Sequence, residues 1–391
     1  MEEPAATSAM KQRSMALGAY GLTWREPPTS VLLVHNRHSP HLLDPLREIA
    51  EWLVQEKKMN VYVKPRTHKL FPHLLCFGKP FPFFLFLFSF FLLFSAERKS
   101  QQPEIDLVIC LGGDGTVLHT ISLFQDRVPP TMCFNLGSLG FLTPFEFGEG
   151  TKQEIERVLE GKSCAILRMR LVCSIFRRGS SIPESRVRVL NEVVITRGNS
   201  PYLTNLECYC DGSSITTVQA DGIIVATATG STAYSLSAGG PLLHPSIPAI
   251  LFTPICPHSL SFRPVILPAT ANLSIQVPPD SRSSAMVQFD GKKNVELAQG
   301  DTVSISMSYY PAPAITPTSQ THHWFRQLAN KLGWNVRMRQ EGLNTDTQQT
   351  PFYTSGININ GNDGGKNGQQ RLRLSSAWKE RMVPLAERSQ L

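Results

Sequence analysis

The chain has 391 residues, 41% of them hydrophobic, which is enough material for two domains with their own cores. Its formal net charge is +7, but the Lys and Arg residues are scattered along the chain rather than clustered. Scattered positive charge suits an anionic small molecule such as a nucleotide, and no nucleic-acid-binding motif accompanies it. The composition therefore argues against a nucleic-acid-binding protein.

The cysteines and the first residues indicate the compartment. The eight cysteines include no CxxC pair, and most lie in apolar strand patterns, where a free thiol behaves as a small hydrophobic group. Residues 1–20 contain no apolar segment of the kind that directs secretion. These features predict a reducing, cytosolic location. Residues 1–28 are polar and interrupted by prolines, and they are predicted to form a disordered leader.

The first predicted elements alternate between strand and helix. Residues 30–35 and 60–63 are short apolar runs typical of buried strands, and residues 42–57 carry apolar side chains at helical spacing. This order predicts an α/β domain with a parallel sheet over residues 29–150.

A hydrophobic segment interrupts this domain. Residues 80–96 carry no charge and are rich in phenylalanine, which brings them close to the minimum length of a membrane-spanning helix. A span here would separate the strands at 30–35 and 107–111, although both belong to one predicted sheet. We therefore interpret residues 66–103 as an atypical hydrophobic insertion, with a membrane anchor as the less favoured alternative.

The strand at 107–111 ends in the sequence Gly-Gly-Asp-Gly-Thr, and a helical pattern follows. Glycines let the backbone approach a ligand closely, and the free amides at a helix start attract phosphate. Asp114 lies within this turn, where its carboxylate can orient or deprotonate a hydroxyl that attacks a phosphoryl group. The alternative is a structural turn in which Asp114 only caps the helix. A second glycine turn, 137–142, follows the predicted strand 131–135, so both turns are expected to line one crevice.

After a predicted helix at 151–160, short alternating strands predict a β-rich domain over residues 151–320. The predicted strands include 165–176 and 187–196, and a small, hydroxyl-rich segment at 226–240 interrupts the series. Residues 321–340 form an amphipathic segment that is expected to return to the α/β domain. Residues 341–391 are polar and are predicted to be disordered.

Polar residues interrupt the apolar pattern of the β-rich domain at three places. Asn191 and Glu192 lie inside an apolar run, where burial is costly unless they are hydrogen-bonded or meet a ligand. Neighbouring strand residues point to opposite faces, so both can serve one ligand only near a strand end or a bulge. An exposed edge strand is the alternative. Asp221 is a second candidate, and Asp290 lies in a predicted hairpin turn. No His, Cys or Glu set has metal-ligand spacing, so a metal is expected to arrive with a nucleotide.

Five segments occur in an order that closely resembles the NAD kinase family. They are LGGDGT (111–116), LGSLGFLT (136–143), VLNEVV (189–194), TGSTAY (229–234) and TPICPHSLSFRP (253–264). The last of these is similar to the animal cytosolic form of the family. The resemblance covers residues 30–63 and 104–338, whereas 66–103 and the tail depart from the family pattern.

The resemblance implies ATP-dependent phosphorylation of the adenosine ribose 2′-hydroxyl of NAD+, with Mg2+ delivered by ATP and NADP+ and ADP as products. Asp114 is then the catalytic residue. The implied nucleotide-binding residues are Gly113, Gly115, Thr116, Leu118, Phe141, Asn191, Glu192, Asp221, Thr232, Ala233, Tyr234 and Ser237. The family also implies a homo-oligomer, a tetramer. The alternatives are a lipid kinase that shares the GGDG turn and a catalytically silent nucleotide-binding homologue.

Overall fold

The computed structural model describes residues 10–15, 19–36, 39–76, 103–136, 140–317 and 320–335. The Phe-rich run at 81–94 and the predicted disordered tail at 341–391 lie outside these residues. Within them the chain forms three β-sheets and six α-helices.

The first sheet contains ten strands. They are β1 (Met10–Met15), β2 (Ala19–Leu22), β3 (Ser30–His35), β4 (Asn60–Val63), β5 (Leu75–Cys76), β6 (Leu107–Leu111), β7 (Thr131–Asn135), β8 (Phe145–Glu146), β9 (Ser163–Arg168) and β22 (Ala312–Thr316). Their order is β1-β2-β9-β22-β7-β6-β3-β4-β5, and β8 pairs with β7.

The centre of this sheet is parallel, as its sequence pattern predicts. Strands β3, β6 and β7 pair in parallel and are buried along almost their whole length, which explains their continuous apolar sequences. Helices cover the sheet: α1 (Leu43–Gln55), α2 (Pro65–His68), α3 (Asp114–Ser122) and α4 (Thr151–Leu159). The prediction of an α/β domain with a parallel sheet is confirmed.

The prediction of a disordered leader is wrong for residues 19–28. Strand β2 pairs antiparallel with β9, and Leu22 is fully buried. The indole Nε1 of Trp24 donates a hydrogen bond to the carbonyl of Val158 over 2.7 Å. Two apolar side chains therefore fix a segment whose overall composition is polar.

The hydrophobic insertion does not begin at residue 66. Strand β5 extends the first sheet by pairing in parallel with β4. Phe71 and Leu74 are buried in the same apolar cluster as the inner face of α1. Residues 66–76 thus belong to the α/β sheet, and 77–102 lie outside the described residues.

The α/β domain also extends beyond residue 150, where the sequence predicted its end. The buried Ile155 and Val158 of α4 pack into the apolar core of the first sheet. The predicted strand 165–176 is two strands, β9 in the first sheet and β10 (Leu171–Phe176) in the second. A continuous alternation of residues does not reveal a change of pairing partner, which is why the break at 169–170 was not predicted.

The second and third sheets each have six strands and form the β-rich part of the chain. The second sheet has the order β11-β10-β21-β18-β13-β14, and the third has the order β17-β16-β15-β12-β19-β20. The remaining bounds are β11 (Ser185–Val189), β12 (Glu192–Thr196), β13 (Thr204–Cys210), β14 (Ser213–Ala220), β15 (Gly222–Thr227), β16 (Ala249–Ile255), β17 (Val265–Pro268), β18 (Leu273–Gln276), β19 (Ala285–Phe289), β20 (Lys292–Leu297) and β21 (Thr302–Met307).

These two sheets share one core. Their inner residues, among them Ile175 of β10, Ile195 of β12 and Val287 of β19, belong to a single buried apolar cluster. The predicted strand 187–196 is again two strands, because β11 joins the second sheet and β12 joins the third. The chain crosses between the sheets at Leu190 and Asn191.

Two helices complete the described chain, α5 (Tyr234–Ser237) and α6 (Gln320–Leu332). In α6 the side chain of Leu328 is buried, and Trp324 lines a small cleft with Phe141 and Ile315. No helix in the part of the chain that the structure describes has the length and apolar character needed to cross a bilayer.

Candidate active site

The GGDGT turn joins β6 to α3 at the carboxyl edge of the parallel sheet. Gly112 has a φ of +149°, and its amide donates to the carbonyl of Phe134 over 2.9 Å. A Cβ at Gly112 would overlap the hydroxyl of Thr116, so both the backbone conformation and the available space require glycine. Gly113 and Gly115 are exposed, with open space where a Cβ would be. This turn therefore presents the start of α3 without side-chain obstruction, as a phosphate site requires.

Asp114 connects this turn to the second glycine turn. Its Oδ2 accepts a hydrogen bond from the amide of Phe141 over 3.0 Å, and its Oδ1 accepts one from Leu142 over 2.9 Å. A Cβ at Gly140 would overlap Oδ1 of Asp114. The carboxylate makes no capping bond to its own helix, whose N-cap is Gly113. The capping alternative is therefore wrong, and the two turns line one crevice.

Asn191 and Glu192 lie where the chain enters the third sheet. β12 runs between β15 and β19, and both residues are buried, so the edge-strand alternative is wrong. Asn191 precedes the first residue of β12, which is the strand-end position that lets neighbouring residues serve one ligand. Asn191 Oδ1 and Glu192 Oε2 are buried and have no hydrogen-bond partner within the described chain. Two unpartnered acceptors at one place indicate a site for a ligand that donates hydrogen bonds.

Glu192 also has an unusual proton affinity. Burial, followed by the negative charge of Asp290, raises the pKa of Glu192 to about 7. A backbone hydrogen bond from Tyr234 opposes this rise. A carboxyl group with a pKa near neutrality, in a crevice, is typical of a functional site.

The hydroxyl-rich segment packs against these residues. The hydroxyl of Thr227 donates to the carbonyl of Leu190 over 2.6 Å, and a Cβ at Gly230 would overlap the carbonyl of Asn191. The chain then passes through Thr232 and Ala233 to Tyr234, which is 43% exposed. Ser237 ends α5 and is also exposed. Tyr234 and Ser237 are thus accessible beside the buried Glu192.

Arg168 links the two halves of the crevice, and the sequence analysis did not identify it as a site residue. It is buried, and its Nη1 donates to the hydroxyl of Thr229 over 3.3 Å, while its Nε has no partner within the described residues. Burial lowers its pKa, and the negative charge of Asp114 opposes that shift. An arginine at the end of an apolar strand is the sequence signal that could have identified it.

Two of the predicted nucleotide-binding residues, Leu118 and Asp221, make contacts of a different kind. Leu118 is half-buried and packs into the apolar cluster that contains Leu190 and Leu142, so it supports the crevice from below. Asp221 accepts a hydrogen bond from Arg197 Nε over 2.7 Å. It lies beside the end of β15 where Gly222 pairs with Thr196, whereas Glu192 pairs with Ala226 at the other end. Four residues of strand, roughly 13 Å, separate these two ends.

The described residues contain no group of three or more His, Cys, Asp or Glu arranged to hold a metal ion. Charged groups at this place include the carboxylates of Asp114 and Glu192 and the guanidinium of Arg168. The arrangement combines a phosphate-binding turn, a positioned carboxylate and buried hydrogen-bond acceptors.

The chain is similar to known proteins over both parts of its fold. Residues 31–163 match the family description "ATP-NAD kinase N-terminal domain", and residues 190–316 match "ATP-NAD kinase C-terminal domain". A probable chloroplastic NAD kinase 2 from Oryza sativa subsp. japonica is 47% identical over 326 residues, which cover 82% of this chain and 32% of that protein. The NAD(+) kinase of Saccharomyces cerevisiae is 49% identical over 258 residues, covering 63% of this chain and 48% of that protein. The chain thus spans about a third to a half of the length of these relatives.

A solved structure is similar over nearly its whole length. The crystal structure of yeast NADH kinase complexed with NADH is 31% identical, with a TM-score of 0.71, and the match covers 85% of this chain and 96% of that one. Both parts of the fold thus match one family, and the chain belongs to the NAD kinases.

Proposed function

We propose that this chain transfers the γ-phosphoryl group of ATP to the 2′-hydroxyl of the adenosine ribose of NAD+, giving NADP+ and ADP. The observation that carries this proposal is the carboxylate of Asp114, held by two amides at the point where the two glycine turns meet. Membership of a family described as ATP-NAD kinases supports the choice of donor and acceptor.

The residues of the crevice have distinct roles in this reaction. Each oxygen of Asp114 accepts one amide and keeps a second lone pair, so the carboxylate can accept the hydrogen of a ribose hydroxyl. The hydroxyl oxygen then bonds to the γ-phosphorus as the bond to the β,γ-bridging oxygen breaks. The hydroxyl proton passes to Asp114, and ADP leaves.

The groups around Asp114 bind and orient the substrates. The amides at the exposed Gly113 and Gly115 face the developing negative charge, and the guanidinium of Arg168 adds a positive charge nearby. Asn191 Oδ1 and Glu192 Oε2 supply acceptors for the hydroxyl and amino groups of the dinucleotide. A divalent cation bound to ATP, Mg2+, neutralises phosphate charge when it is present.

The location and the oligomeric state in this proposal follow from the resemblance to the NAD kinases. We place the protein in the cytosol as a homotetramer. The seven cysteines whose side chains the structure describes are free thiols, as a reducing compartment requires. The distance of Asp221 from Glu192 fits a role at the active site of a second copy. Light scattering on the purified protein tests the tetramer, and a monomer would overturn it.

The test of function is an assay of the purified chain with ATP, Mg2+ and either NAD+ or NADH. NADH is included because similar yeast proteins carry the names "ATP-NADH kinase" and "NADH Kinase". Detection with an NADP+-specific dehydrogenase reports phosphorylation at the 2′ position. Folded protein that binds NAD+ without forming NADP+ would indicate a silent homologue. Phosphorylation of a diacylglycerol or sphingosine lipid in place of NAD+ would indicate a lipid kinase.

A further inference from the structure

The carboxylate of Asp290 organises the backbone that carries Asn191 and Glu192. Its Oδ2 accepts a hydrogen bond from the amide of Leu190 over 2.8 Å. Its Oδ1 accepts hydrogen bonds from the amides of Asn191 over 2.8 Å and Glu192 over 3.1 Å. The amide of Asp290 in turn donates to the carbonyl of Glu192 over 3.0 Å. One side chain therefore satisfies three consecutive amides.

These three amides lie where the chain leaves the second sheet and enters the third. Leu190 and Asn191 belong to neither strand, because β11 ends at Val189 and β12 begins at Glu192. Asp290 has a φ of +47° in the turn between β19 and β20, and the register of that pair shifts at the neighbouring Phe289. The irregular turn directs the carboxylate back across the sheet to the crossover.

The crossover is also where the unpartnered acceptors lie. Asn191 Oδ1 and Glu192 Oε2 are held on backbone whose amides all bond to Asp290. Any movement of this backbone would redirect both acceptors together. Resting on the proposed function, we infer that Asp290 is a positioning residue, which fixes Asn191 and Glu192 for hydrogen bonds to the dinucleotide and does not itself take part in phosphoryl transfer.

The charges around the crossover allow a measurement that separates a positioning role from a purely structural one, namely the pH dependence of NAD+ binding. Glu192 faces Asp290, whose charge adds to the effect of burial in raising the pKa of Glu192 to about 7. Burial raises the pKa of Asp290 as well, and Lys292 on β20 opposes this. Arg170 and Cys173 on the side of β10 also sense the charge of Asp290. Binding of NAD+ should therefore depend on pH, because ionised Glu192 is the better acceptor.

The experiment measures the Kd of NAD+ by calorimetry from about pH 5 to about pH 9, without ATP, for wild type and variants. Asp290→Asn should weaken binding by about tenfold or more. It should also move the midpoint of the pH dependence to lower pH, because the negative charge that repels ionised Glu192 is removed. Lys292→Met should move it to higher pH, because loss of Lys292 raises the pKa of Asp290 further, and protonated Asp290 accepts the three amide hydrogen bonds less well. Lys292 Nζ is buried without a hydrogen-bond partner in the described chain, so this second variant is expected to fold.

Asp301 provides the matched control. Asp301 is buried, and its carboxylate accepts hydrogen bonds from the amides of Arg178 over 3.0 Å and Ala298 over 2.9 Å. It precedes β21 at the end that pairs with Phe176, whereas the crossover lies near the other end of that strand. Asp301→Asn should lower thermal stability as Asp290→Asn does, but leave the Kd of NAD+ and its pH dependence within about twofold of wild type.

The outcomes separate this inference from the proposed function. If Asp290→Asn binds NAD+ like Asp301→Asn and the pH dependence is unchanged in both Asp290→Asn and Lys292→Met, the positioning role is wrong. That result holds whether or not wild type forms NADP+. If Asp290→Asn does not fold, an unshifted pH dependence in Lys292→Met alone overturns the inference. Wild type that binds NAD+ with the expected shifts but forms no NADP+ would overturn only the proposed reaction.

Discussion

The amide of Phe141 donates a hydrogen bond to Oδ2 of Asp114 over 3.0 Å, and this bond joins the two glycine turns of the crevice. The turn after strand β6 supplies the carboxylate, and the turn after the neighbouring strand β7 supplies the amide. The side chain expected to act on the substrate hydroxyl is therefore fixed by backbone, which costs little reorganisation during the reaction.

Gly140→Ala should disturb this bond directly. A Cβ at Gly140 would overlap Oδ1 of Asp114, and its next neighbour is the hydroxyl of Thr143. We expect kcat to fall by about 100-fold, because Asp114 must move away from its position. Gly148→Ala is the control, since open space surrounds a Cβ there. Equal activities of the two variants, measured as initial rates of NADP+ formation, would contradict the assigned geometry.

Glu192→Gln should change the pH dependence of stability. The pKa of Glu192 is raised from 4.5 to about 7, so the folded protein holds a proton that the unfolded chain releases above its ordinary pKa. This contribution to stability is fully present below pH 4.5 and is lost as pH rises through about 7.

Glutamine carries no charge to bury, so Glu192→Gln should match wild type near pH 4 and exceed its free energy of unfolding by about 3 kcal/mol near pH 8. Urea unfolding at a series of pH values measures the difference. Glu51→Gln, at an exposed position on α1, should show no such trend. A constant difference between Glu192→Gln and wild type across this pH range would show that Glu192 ionises normally.

Arg170→Lys should destabilise the protein although it keeps the charge. The Arg170 guanidinium is fully buried and donates to the carbonyls of Tyr310 over 2.6 Å, Phe124 over 2.7 Å and Asp126 over 2.5 Å. Burial lowers the pKa of Arg170 to about 10. An ammonium group cannot reach three carbonyls in this planar arrangement, so we expect a loss of about 2–4 kcal/mol.

Arg186→Lys is the control for that experiment, because Arg186 is exposed and makes one hydrogen bond of 3.3 Å to Ser174. It should change the free energy of unfolding by less than about 0.5 kcal/mol. Similar losses in the two variants, measured by urea unfolding, would mean that the guanidinium contacts contribute little.

Removal of divalent cations should stop catalysis without unfolding the protein. The cation that phosphoryl transfer requires is expected to arrive bound to ATP. EDTA should abolish NADP+ formation, excess Mg2+ should restore it, and the Tm of the protein without nucleotide should not change. A large fall in Tm with EDTA would reveal a structural metal.

The sequence predicted the parallel sheet and the glycine turns because these depend on local patterns. Strand β3 is a continuous apolar run, and the GGDGT turn requires glycine for its own backbone. The sequence did not predict where strands change sheets, since the residues around Arg170 and Leu190 continue the apolar alternation on both sides of each break. Pairing partners far along the chain decide those positions.

The same limit applies to the site. Asp114 is recognisable because it lies in a glycine turn, whereas Asp290 was predicted only as part of a hairpin. Its contact with Leu190 bridges 100 residues, and no local pattern encodes that separation. Likewise, Leu22 and Trp24 lie in a polar segment, and their burial depends on β9 and α4 more than a hundred residues later.

The most direct test of the central claim compares Asp114→Asn with Asp106→Asn in the NADP+ assay. Asp106 directly precedes strand β6, at the end opposite to Asp114. Its Oδ2 accepts hydrogen bonds from the amides of Thr29 over 2.8 Å and Ser30 over 2.9 Å. We predict that Asp114→Asn lowers kcat by about 1,000-fold or more, while its Kd for NAD+ stays within about tenfold. Asp106→Asn should keep kcat within about threefold of wild type. Turnover by Asp114→Asn at the wild-type rate would contradict the claim that this carboxylate acts on the ribose hydroxyl.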